Sequence, residues 1–139
     1  MIITNEFPVL EYDDCSAEVI PPDHDCKDLK LPEKCLFTFL GDVVHDYAQR
    51  NHAEVVEEII NVSHTTKFYV LHEEKEDICL VQSQIGAPAA TQVMDVLVSC
   101  GCKKVIAIGS CGVLVDIPEN AFLVPTKALR AEGTISQCS

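Results

Sequence analysis

The run KKVIAIGSCG, residues 103–112, sets the tightest limit on what this chain can fold into. A continuous β-branched stretch with no polar alternation is the pattern of a strand buried on both faces of a sheet. Such strands belong to parallel sheets covered by helices. The four small residues that follow, Gly109 to Gly112, form either a plain tight turn or a pocket for an anion.

The rest of the chain agrees with an α/β sheet covered on both sides. CLFTFLG reads as a buried strand ending at Gly41. KFYVLH and DICLVQ, joined by the charged turn EEKE, read as a strand pair. AFLVP, after the turn DIPEN, reads as a further strand. Two segments carry helical spacing. DVVHDYAQRNHAEVVEEII places Val44, Tyr47, Ala48, Val55, Val56, Ile59 and Ile60 near one face, with Asp42 as N-cap. APAATQVMDVLVSCG has Pro88 in its first turn, an apolar face of Ala90, Val93, Met94, Leu97 and Cys100, and Gly101 at the left-handed C-terminal position.

Composition excludes several classes. The chain has 139 residues, enough for one domain with a real core, and 47% of them are hydrophobic. Its net charge of -12 argues against nucleic acid, which needs a basic footprint. Eight acids between Met1 and Asp28 face Lys27 alone, the mark of a solvated acidic arm. No apolar run approaches the ~18 residues of a membrane span, and the N-terminus has no basic segment followed by an apolar one. The expected location is the cytoplasm. The eight cysteines include no C-x-x-C pair and no histidine at zinc spacing, so they are expected reduced and metal-free. The expected organisation is an irregular acidic arm over 1–34, with one short edge strand, an α/β domain over 35–134, and a short tail over 135–139.

In open α/β sheets, ligands collect beyond the carboxyl ends of strands. Three small-residue turns fall at such ends: LGD at Gly41, SQIGAP at Gly86, and GSCG. Glycine lets backbone amides approach a ligand, and amides so grouped carry partial positive charge that suits an oxyanion such as phosphate. Ser110 adds a hydroxyl there, or bonds to its own backbone.

FLGD, SQIGAPAATQ, KKVIAIGSCG and DIPENAFLVPTKALRAEGT, in this order and spacing, resemble the nucleoside phosphorylase family of purine nucleoside and uridine phosphorylases and related nucleosidases. The resemblance covers residues 35–134. It implies a three-layer α/β fold with a central mixed sheet, here truncated relative to the family. It also implies cleavage of the nucleoside N-glycosidic bond with phosphate as co-substrate (a pentosyltransferase reaction), and no other cofactor. On the residues that match, Gly41 and Ser110 bind phosphate, while Gly109 and Gly112 shape the turn. Arg130 is a phosphate partner or a surface ion pair.

The chain also departs from the pattern. His45 stands where relatives carry a phosphate arginine after Gly-Asp, and reads as an ordinary helix-surface histidine. Ala107 stands where they carry a second arginine. The end, ISQCS, does not continue the family's pattern, and no residue can be assigned as the acid assisting the departing base. The expectation is therefore a nucleoside phosphorylase-type chain, the N-terminal half of such an enzyme, inactive alone. The alternative is a non-catalytic α/β binding or assembly module derived from that fold. Nucleoside and phosphate are the expected partners of the parent enzyme, without nucleic acid or membrane and with self-association as a homo-oligomer open. Phosphorylase against nucleosidase, and purine against pyrimidine, remain alternatives at this level.

Overall fold

A computed structural model describes residues 2–7, 11–13, 20–22, 24, 28–62 and 64–128. The chain divides into two compact units, one made of Ile20–Ser110 and the other of Met1–Val19 with Cys111–Ser139. In the second of these, β1 (Ile2–Ile3) pairs antiparallel with β2 (Tyr12–Asp13).

The Ile20–Ser110 unit holds a five-stranded mixed sheet in the order β4-β5-β6-β3-β7. Its strands are β3 (Lys34–Phe39), β4 (Glu54–Ile60), β5 (Thr65–His72), β6 (Asp77–Gln82) and β7 (Lys104–Gly109). β3 is parallel to both β6 and β7, whereas β4–β5 and β5–β6 are antiparallel. Side-chain alternation sorts the strands' residues between two layers. Cys35, Phe37, Phe68, Cys79 and Val81 pack with Val93 and Leu97 of helix α2 (Ala87–Ser99). Tyr69, Leu71 and Leu80 pack with Val44 and Ala48 of helix α1 (Asp42–Arg50). Helix, sheet and helix thus form three layers, the expected α/β architecture. Full burial of a side chain such as Phe68 or Leu97 contributes about 1.5–3 kcal/mol.

The α2 expectation holds in detail. Pro88 lies in the first turn, where its missing N–H costs nothing, and Gly101 has φ +108° just past the end. The hairpin reading of KFYVLH and DICLVQ also holds, as β5 and β6.

Four expectations are corrected. The first helix stops at Arg50, and EVVEEII is the strand β4. The Asn51 side chain donates to the Tyr47 carbonyl at 2.8 Å and His52 takes a left-handed φ of +54°, which ends the helix. A bulge between Val55 and Glu57 lets Val56 and Ile59, three apart, pack on the same layer, and this imitates helical spacing. Tyr47 is accordingly 48% exposed, not part of an apolar face, and Asp42 is the first helical residue behind a Gly41 cap. Third, β7 is not buried on both faces. It is the outermost strand, with Ile106 64% exposed. Fourth, AFLVP joins no sheet among the described residues, and Phe122 is fully exposed.

Cys35, Cys79 and Cys102 are buried free thiols, Cys111 is an exposed one, and Cys100 is buried. Cys35 and Cys79 face each other across β3 and β6. The Cys35 thiol is pushed far up by its hydrogen bond with Cys79 and then by burial, so it stays protonated and behaves as a small apolar group. Cys15, Cys26 and Cys138 lie outside the described residues. No described helix is long and apolar enough to cross a membrane.

Candidate functional site

Because β3, β6 and β7 are parallel, the turns after Phe39, Gln82 and Gly109 emerge at one end of the sheet. The chain leaves β3 for α1 on one face and leaves β6 for α2 on the other. That reversal at neighbouring strands is where open α/β sheets leave a crevice.

Gly41 and Gly86 stand between these strands and their helices. Gly41 has φ +64° and ψ -142°, Gly86 has φ +107°, and neither would crowd a neighbour within 4 Å. Glycine is therefore required by backbone conformation, which turns the chain sharply into each helix. The first amides of both helices are directed to this end, where aligned peptide dipoles favour negative charge.

A polar brace joins the β3 and β6 turns. The Gln82 carboxamide oxygen accepts the Leu40 N–H at 3.0 Å, and the Gln82 amide nitrogen donates to the Ser83 carbonyl at 3.0 Å. The buried Thr38 hydroxyl lies 2.9 Å from the Val81 carbonyl and 3.1 Å from Gln82 Oε1, sharing its proton between two acceptors. The Ser83 N–H donates to the Thr38 carbonyl at 2.8 Å. Sequence reasoning passed over Thr38 and Gln82. The visible signal was one polar residue near the end of each otherwise apolar strand.

Gly109 is opposite Phe39 in the β3–β7 register, and a β-carbon on it would lie 3.4 Å from Phe39 Cβ. Ser110 follows directly, so it emerges beside the turn that contains Gly41. Its side chain is exposed, and its hydroxyl makes no hydrogen bond among the described residues. Gly112 belongs to the other unit and is exposed. Arg130 lies outside the described residues.

The two departures have clear places. His45 is on α1, its Nδ1 2.8 Å from the Tyr69 hydroxyl and its Nε2 3.0 Å from the Gln49 side-chain nitrogen. Both ring nitrogens are thus engaged by neighbours on α1 and β5. Burial pushes the Tyr69 hydroxyl upward, so it stays a neutral partner. Ala107 pairs with Phe37 within β7 and brings no charge. The described residues contain no cluster of three or more metal-ligating groups. With small turns, free amides and one hydroxyl, this end of the sheet can hold an anion through neutral donors.

No curated protein and no solved structure gives a significant match to the chain. The family model described as the phosphorylase superfamily matches residues 34–137, from the start of β3 through all three glycine turns and onward past the α/β sheet. With its nucleoside phosphorylase-like motifs set at the ends of three parallel strands, the chain belongs to the phosphorylase superfamily.

Proposed function

We propose that this chain carries the phosphate side of a nucleoside phosphorylase-type site in the cytoplasm. The parent enzyme would cleave the N-glycosidic bond of a nucleoside, with phosphate attacking the anomeric carbon and no other cofactor. The observation that carries the reading is the adjacency of the β3 and β7 ends, which sets the Gly41 turn beside Ser110. Gly41 and Ser110 hold phosphate in this reading; from the sequence resemblance alone, Gly109 and Gly112 are turn-shaping residues and Arg130 a phosphate partner. With His45 and Ala107 in place of the two usual arginines, and a net charge of -12, binding is weak, on the order of millimolar or about -4 kcal/mol.

Cleavage also needs stabilisation of the departing base, and no residue of these 139 is assigned to that task. Half of a transition-state site forfeits most of the acceleration. Phosphate titration followed by NMR should shift the amides of Gly41, Gly109 and Ser110 first, and Ser110→Ala should weaken binding about three- to tenfold. Base release from a nucleoside panel should stay at background with and without phosphate. Turnover near 1 s⁻¹ or faster by this chain would overturn the reading.

The exposed apolar strand β7 favours a second reading, a non-catalytic assembly module. It would gain if phosphate left the strand-end amides unmoved while the chain formed a discrete oligomer.

A further inference from the structure

A small hollow opens on the α2 face of the sheet, bordering the Gly86 turn and apart from the Gly41 and Gly109 turns. Its floor is apolar, from Ile59 of β4 and Val93 of α2, and its rim carries Thr66, Gln84 and Gln92. Its volume is about 70 Å³, against the ~30 Å³ that a molecule of liquid water takes. Thr66 belongs to β5, which is separated from β3 by β6. The hollow therefore stands about two strand spacings, ~10 Å, from the Gly41 turn.

The polar groups here are unusual in being unspent. Thr66 is only 2% exposed, and its hydroxyl makes no hydrogen bond among the described residues. It is not sealed off either, since no buried side-chain oxygen or nitrogen among the described residues lacks a partner. Its remaining access is to the hollow it lines. The side-chain amides of Gln84 and Gln92 likewise bond to no other described residue. Asn61, also on the rim, differs in that its side-chain oxygen accepts the His64 N–H at 2.9 Å.

No charged side chain lines the hollow. Each free carboxamide offers one acceptor and two donors in a plane, and the hydroxyl can serve either way. The matching partner is neutral and planar, with N–H and C=O side by side, and has an apolar surface to lay on Ile59 and Val93. We infer that this hollow binds a small uncharged ligand through an amide edge, held by Thr66, Gln84 and Gln92. The site borders the Gly86 turn but includes none of Gly41, Gly109 and Ser110, and it does not depend on their role.

The test is a titration of the chain with acetamide and, separately, with uracil, read from the Thr66 backbone amide and the side-chain NH₂ signals of Gln84 and Gln92. Saturable shifts are expected with at least one. Acetamide alone identifies an open-chain amide, and uracil, with or without acetamide, a cyclic one. Phosphate should not move these signals, whatever it does at Ser110. N,N′-dimethyluracil, which has lost its N–H groups, should not move them either. Thr66→Val should weaken binding about three- to tenfold. It should leave the unfolding midpoint in place, because the hydroxyl it removes has no partner and valine keeps the strand-favouring shape. Gln92→Leu, on an exposed helix position, is the second variant and should weaken binding similarly. Non-saturating shifts, an equal response to dimethyluracil, or wild-type affinity in both variants would refute the site.

Discussion

The two outer strands of the sheet, β4 and β7, are built for different surroundings. β4 carries Glu54, Glu57 and Glu58, pairs Glu58 with Lys67 at 3.2 Å, and breaks its register with a bulge. Charges and bulges are what keep an exposed edge from pairing with another chain. β7 has neither. After Lys104 it runs Val-Ile-Ala-Ile-Gly in unbroken register with β3, leaving Ile106 64% and Ile108 38% exposed. One edge is finished against solvent, while the other has the composition of an interior strand. The difference teaches that residue pattern reports the neighbours a strand is suited to, and here those neighbours are absent from β7's outer side among the described residues.

The largest effect that could break this contrast is on stability. Leu97→Ala removes a fully buried side chain between α2 and the sheet and should cost about 2–5 kcal/mol by urea denaturation. Ile106→Ala should stay within about 0.5 kcal/mol, as at a surface position. Equal losses would show that β7 is covered in solution. The next effect is on association. If the bare edge recruits other copies, Ile106→Lys should weaken self-association about tenfold or more in sedimentation velocity. Ile60→Lys on β4, where Ile60 is 75% exposed, should change nothing. A reversed ranking would remove the distinction between the edges.

The smallest effect concerns the charge cluster at the start of β4. His72 Nδ1 lies 2.8 Å from Asp77 and its Nε2 3.6 Å from Glu54. The hydrogen bond with Asp77 and the negative charge beside it raise the imidazole above its ordinary value near 6.5. A group raised on folding stabilises most below its unfolded value, and that contribution is lost as pH rises through the folded one. Wild type should therefore exceed His72→Gln in urea midpoint at about pH 6 and match it at about pH 9. A constant difference across that range would assign the effect to packing.

Much of the fold was legible in the sequence because local pattern and tertiary role agreed. The β5–β6 hairpin was marked by two apolar runs around EEKE, and α2 by Pro88, a single apolar face and Gly101. EVVEEII misled because a bulge shifts the phase of a strand by one residue, and no period in the sequence reveals that. AFLVP has strand composition but finds no partner among the described residues, and strand pairing is a long-range fact. At the site, the glycine turns were readable because Gly41 and Gly86 meet a local conformational demand. The Gln82 brace was not, since it joins residues more than forty positions apart.

The bend at Gly41 also makes that position sensitive to handedness. Its φ of +64° and ψ of -142° are the mirror image of polyproline geometry. No atom lies within 4 Å of where an ordinary side chain would begin, so crowding plays no part in reserving the place for glycine. An l-alanine there would hold its backbone in a region that costs about 1–3 kcal/mol, although it would touch nothing. A d-alanine would have the same dihedrals as its own preferred basin, and would narrow the unfolded ensemble as well. The turn after β3 discriminates between two residues of identical composition by chirality alone.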